Sequence, residues 1–178
     1  NAENDILDKG VQAILLVEDS VRFYSTYLPE LYKLVLKQSS EFLKETLNEQ
    51  QRKFRKRSRP KILLATNLDD ALNMYSKYKH NLLGVISDVG FTVHKDDSPE
   101  MEKLDAGIEL VRHIKADNEK MPILLQSSQD SISSVAQELG VGFLRKYSKT
   151  LMLQLADFIK EEFGFGDFVF RDADHVEY

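Results

Sequence analysis

Cysteine is missing from all 178 residues, which excludes a disulfide framework, a thiolate nucleophile and any zinc site built on sulfur. No apolar run approaches the roughly 18 residues that a membrane span needs, and no signal-peptide pattern opens the chain. A soluble cytoplasmic protein with no membrane partner is therefore expected. A formal charge of −5 and a pI near 5.4 argue against general nucleic-acid affinity. The glycine pairs Gly140-x-Gly142 and Gly164-x-Gly166 lack the third glycine of a dinucleotide fingerprint, and no Gly-Lys-Ser/Thr loop cradles a phosphate. His80, His94, His113 and His175 show no ligand spacing and read as surface residues.

What is present centres on Ala13-Ile14-Leu15-Leu16-Val17-Glu18-Asp19-Ser20. A solvated strand would alternate polar and apolar residues, whereas this run is continuous. It reads as a strand buried on both faces, as in a parallel sheet covered by helices. Similar runs recur at Ile62–Ala65, Leu82–Ser87, Ile123–Gln126 and Gly142–Arg145, separated by segments of helical period. Five such units predict an α/β fold, a doubly wound five-stranded parallel sheet. Asn67 or Asp69 is expected to cap the helix after the second strand, and residues 89–104 read as a long, mobile loop.

Between the first two strands the chain is longer than such a unit requires. Leu31, Val35, Phe42, Leu43, Leu47 and Phe54 keep an approximate helical period beyond Pro29, which is expected to kink the helix or to start a second one. The first helix is therefore extended, and its apolar stripe predicts a homodimer. It ends in a basic run from Arg52 to Lys61, which reads first as a solvated helix end and second as a surface for phosphate, nucleic acid or an acidic partner.

With strand order 2-1-3-4-5 the switch point falls between the first and third strands, and ligands in such sheets bind there, outside the carboxyl ends. Glu18 and Asp19 would then lie beside Asp88, flanked by Ser127 and Lys146. Three carboxylates in one place repel unless a cation neutralises them, and hard oxygen donors suit Mg²⁺. In this group Asp88 can attack a phosphoryl donor, Lys146 can neutralise the transferred oxygens, and the Ser127 hydroxyl can bond one of them. Singly, each residue has a plainer reading: Asp19 as a helix cap, Lys146 as a structural ion-pair partner, Phe143 as core.

Leu-Leu-Val-Glu-Asp-Ser (15–20), Ser-Asp (87–88), Ser-Ser (127–128) and Phe-Leu-Arg-Lys (143–146) together resemble the signature points of two-component response-regulator receiver domains, which are flavodoxin-like. The resemblance covers about residues 11 to 162. It implies Asp88 as phosphoacceptor, Asp19 as direct Mg²⁺ ligand, Glu18 as a ligand through water and the Gly90 backbone carbonyl as a further ligand. It implies Ser127 and Phe143 as the pair that responds to phosphorylation, and a sensor histidine kinase or phosphotransfer protein as partner. Beyond self-phosphorylation from small donors and self-dephosphorylation, it implies no enzyme.

The chain departs from that pattern in three places. Tyr147 stands where the family usually has proline, the loop after Asp88 is longer, and the first helix is extended. These features, with Arg57–Lys61 and Phe163–Arg171, are similar to atypical receivers at the N-terminus of phosphoenolpyruvate-synthase-like proteins, which implies a C-terminal PEP/pyruvate-binding region. The expected division is 1–12 as lead-in or tag remnant, with the polar residues 3–12 loose, 13–163 as the receiver-like domain with 29–60 as its helical extension, and 164–178 as a tail or the start of a following domain. A pseudo-receiver acting as a constitutive interaction module is the alternative. An aspartyl-nucleophile phosphatase ranks last, because that class wants an acid two residues after its nucleophile and position 90 is glycine.

Overall fold

Apolar runs too short for helices and bounded by turn residues pair here as strands. The structure, a computed structural model, describes residues 2–45 and 60–162. The strands are β1 (Ala13–Val17), β2 (Lys61–Ala65), β3 (Leu82–Asp88), β4 (Ile123–Ser127) and β5 (Gly142–Arg145). All pairs are parallel, in the order β2-β1-β3-β4-β5. The helices are α1 (Ala2–Leu7), α2 (Val21–Glu45), α3 (Leu68–Tyr78), α4 (Ala106–Asp117), α5 (Ile132–Glu138) and α6 (Leu151–Glu162), with a short 3₁₀ turn at Pro99–Met101.

Both faces of the sheet are covered, as the unbroken apolar runs predict. Ala13, Leu15 and Val17 point into a core shared with α3, α4 and α5. Ile14 and Leu16 point the other way, against α2 and α6. Every residue of β1 and of β4 is buried. Asn67 caps α3, its side chain accepting a hydrogen bond from the Asp70 N–H. No helix among the described residues is long and apolar enough to cross a membrane.

Three expectations are corrected. Residues 3–12 are not a loose lead-in: α1 buries Ile6 completely, and the Ile6 carbonyl accepts from the Asn81 side chain at 3.3 Å. No second helix starts at Pro29, because α2 runs through it. The buried Phe23, Tyr27, Leu31 and Val35 at about 1.5–3 kcal/mol each outweigh the roughly 3 kcal/mol that proline costs inside a helix. Pro29 has no N–H to offer the Ser25 carbonyl, and both residues are exposed.

The third correction concerns the loop after β3, which is anchored rather than free. Phe91 is fully buried and pairs with Lys103 in an antiparallel bridge. The carbonyls of Thr92 and Val93 accept from the first N–H groups of α3, Leu68 and Asp69, at 3.0 and 3.1 Å. This satisfies donors that a helix start otherwise leaves to water.

Leu31 and Val35 are buried against the chain's own sheet and α6, so this part of the α2 stripe is already covered. Leu47, Phe54, the basic run up to Arg59, the side chain of Phe42 and the tail 164–178 lie outside the described residues.

Candidate cation and phosphoacceptor site

The sheet order brings the ends of β1 and β3 side by side, and the residues just past the strands meet there. Glu18 leaves β1 with its N–H donated to the Ala65 carbonyl at 3.0 Å. Its Oε1 accepts from the Ser20 N–H at 3.0 Å, while Ser20 Oγ accepts from the Phe23 N–H at 3.3 Å and so starts α2. Asp88 ends β3, with Oδ1 accepting from the Val89 N–H at 2.7 Å. Ligand oxygens of Glu18, Asp19 and Asp88 lie within 4.8 Å of one another.

Lys146, just beyond β5, reaches across to this group. Its Nζ is 2.5 Å from Asp88 Oδ2 and 2.6 Å from Glu18 Oε2. The ammonium also sits 4.4 Å from the centroid of the Phe23 ring, a cation–π contact from the first turn of α2. The Lys146 N–H is donated to the Ser127 carbonyl at 2.9 Å, which ties the lysine to the end of β4. Ser127 is buried, and its Oγ accepts from the Gln129 N–H at 3.1 Å. A cleft of about 400 Å³ beside the site is lined by Ser128, Arg145, Lys146, Tyr147 and Ser148.

The electrostatics follow from burial and crowding. Glu18 is 1 % exposed. Burial first, and the neighbouring Asp88 second, push its pKa up to about 7. Asp19 is raised for the same two reasons, with Glu102 adding to them. Burial alone would lower Lys146, but Asp88 and Glu18 outweigh it and hold its pKa above the ordinary value.

These residues fit a divalent cation. Three carboxylates against one ammonium leave an excess of negative charge in one place. Glu18 Oε2 is buried without a well-directed hydrogen bond and has only the ammonium opposite it. An all-oxygen donor set of this charge suits Mg²⁺.

Glu18, Asp19, Asp88, Ser127 and Lys146 thus share one edge of the sheet, as sequence position predicts. Gly90 lies two residues past Asp88, under the carboxylate of Glu102. Phe143 stands apart from the acids, half-buried on the sheet face that packs against α3 to α5. After Lys146 the chain turns at Tyr147 with φ 63, and no cis peptide bond occurs among the described residues. The Tyr147 ring packs edge-on against Phe23 at 5.6 Å.

Phe23 and Glu102 are absent from the sequence-based set. Phe23 carries no signal beyond a helical apolar period. Glu102 lies in an irregular loop, and only its return to the sheet edge reveals it. Behind the site, the Gln126 side chain donates to the Tyr27 hydroxyl, a buried polar link between β4 and α2.

No protein-family profile matches the chain, and no curated protein does. Solved structures do. A response-regulator receiver domain from Clostridium thermocellum is similar at TM-score 0.56 and 17% identity, over 86% of this chain and 95% of that one. A response-regulator receiver protein from Sinorhizobium medicae is similar at TM-score 0.57 and 14% identity, over 88% and 98%. A Thermotoga maritima response regulator in complex with Mg²⁺ and BeF is similar at TM-score 0.51 and 15% identity, over 82% and 95%. The chain has the flavodoxin-like fold of response-regulator receiver domains.

Proposed function

We propose that this chain is a phosphoacceptor receiver, in which Asp88 takes a phosphoryl group and the new charge alters contacts with a partner or output domain. The observation that carries this reading is the bridge from Lys146 to Asp88 and Glu18, formed at an edge where three carboxylates converge. A purely structural ion pair would match one acid to one base, whereas here three carboxylates crowd one ammonium. The fold supports the same reading, and so does the Mg²⁺-bound neighbour.

An Asp88 carboxylate oxygen would attack phosphorus as the bond from phosphorus to the donor's leaving atom breaks, giving an aspartyl phosphate. The Val89 N–H and Lys146 Nζ hold the two Asp88 oxygens and fix the direction of attack. Lys146 then neutralises charge on the transferred oxygens, and the Ser127 hydroxyl turns to donate to one of them. When bound by Glu18, Asp19, Asp88 and the Gly90 carbonyl, Mg²⁺ would offset the remaining negative charge on the phosphoryl group. The donor would be a sensor histidine kinase or a phosphotransfer protein, and Phe143 would move with Ser127.

Incubation with acetyl phosphate and MgCl₂, followed by intact mass measurement, tests this. The native chain is expected to gain one phosphoryl group and Asp88→Asn none. No gain in the folded native chain with Mg²⁺ bound would contradict the proposal and favour a constitutive interaction module.

A further inference from the structure

The loop after β3 does more than connect to α4. It leaves the site at Phe91, makes the 3₁₀ turn at Pro99–Met101 and returns through the bridge from Lys103 to Phe91, with N–H···O distances of 3.2 and 3.0 Å. Glu102 lies between the turn and the bridge, so its backbone is fixed on both sides.

Its carboxylate is laid over Gly90. A Cβ on Gly90 would collide with Glu102 Oε1 and lie 3.4 Å from its Cδ, so glycine is what admits this side chain. Gly90 is two residues past Asp88, so this carboxylate stands beside the end of β3, and its charge adds to that of Asp88 on Asp19. No cation answers Glu102 among the described residues. Its neighbour Lys103 pairs with Glu109, and Lys146 is taken by Glu18 and Asp88. Three carboxylates already share one ammonium beside it, so a further carboxylate fixed over Gly90 adds negative charge where a cation would be held.

We propose that Glu102 is a fourth carboxylate of the cation site, delivered by the loop and admitted by Gly90, which raises divalent-cation affinity through its charge as a positioning residue rather than as a strand-end ligand. This rests on reading Glu18, Asp19 and Asp88 as a cation site. A unit charge several ångströms from a divalent ion, largely in water, is worth about a fivefold to tenfold change in binding.

Titration calorimetry with MgCl₂ on the native chain and on Glu102→Gln, Gly90→Ala and Asp19→Asn decides the matter. Glu102→Gln is nearly isosteric at an exposed position, so folding is not at issue. It is expected to weaken Mg²⁺ binding about fivefold to tenfold and to flatten its dependence on ionic strength. Gly90→Ala, by displacing the carboxylate, should weaken it similarly, and the double variant should lose little more. Asp19→Asn should abolish binding. If Asp19→Asn abolishes binding while Glu102→Gln stays within about twofold of native, the role of Glu102 is overturned and the cation site stands. If the native chain does not bind Mg²⁺, both fall.

Discussion

Lys146 stands between two acids, and its removal exposes what it holds together. Breaking a buried pair leaves an uncompensated charge, so Lys146→Met is expected to cost about 3 kcal/mol at neutral pH in cation-free buffer, measured by urea unfolding. The loss should shrink near pH 5, because Glu18 already sits at a pKa of about 7 and takes up a proton there. A cost independent of pH would show that Glu18 is not the stranded charge. His94 works in the opposite sense. Its Nδ1 lies 2.6 Å from Asp69, and that hydrogen bond, then the charge of Asp69, raises its pKa above 6.5. The contact's contribution is fully present below pH 6.5 and is lost as pH rises through the higher folded value. An NMR titration of His94 should give a midpoint above 6.5 that falls toward it in Asp69→Asn. At this scale the sequence is legible where chemistry sits at strand ends. Glu18, Asp19, Asp88, Ser127 and Lys146 each follow or close an apolar run. Phe23 and Glu102 follow no such rule, since one is placed by a helix start and the other by a loop's return path.

Elements defined by their own period were readable, and elements held by distant partners were not. β1 and β4 are buried at every position and announce themselves as apolar runs. α1 has one buried side chain, Ile6, and is otherwise fixed by contacts such as the Glu3 ion pair to Lys77 in α3 and the Asp5 pairs to Lys9 and Lys61. Nothing within residues 2–7 alone indicates that anchorage. The loop after β3 is composed like a mobile segment, yet Phe91 is buried and two of its carbonyls finish the start of α3. α4 shows the tightest link between an element and the site. The Gly107 N–H is donated to the Val89 carbonyl at 2.8 Å, and a Cβ at Gly107 would meet the Asp88 carbonyl oxygen, with Val89 Cα at 2.9 Å. Those are backbone atoms that cannot step aside. Gly107→Ala is therefore expected to destabilise the fold by about 1–3 kcal/mol and to displace Asp88, seen as a lowered thermal midpoint together with weakened Mg²⁺ binding. A variant of native stability and native Mg²⁺ affinity would refute this packing link.

On the scale of the whole molecule, the order β2-β1-β3-β4-β5 is what makes separate strand ends into one site. The reversal of winding next to β1 opens the crevice, and the acids of β1 and β3 border it from adjacent strands. This arrangement could be anticipated because right-handed crossovers and two-sided burial leave few alternatives. The extended first helix could be anticipated too, and of its apolar stripe Leu31 and Val35 pack against α6 and the sheet. The central claim is that Asp88 accepts a phosphoryl group beside a cation held by Glu18 and Asp19. Beryllofluoride, which imitates a phosphoryl group on a carboxylate, tests it most directly through ¹⁹F NMR of the protein. Bound fluorine resonances are expected with MgCl₂ present, and none without Mg²⁺ or in Asp88→Asn. Bound resonances that persist in Asp88→Asn, or a native chain that loads Mg²⁺ yet gives none, would contradict the claim.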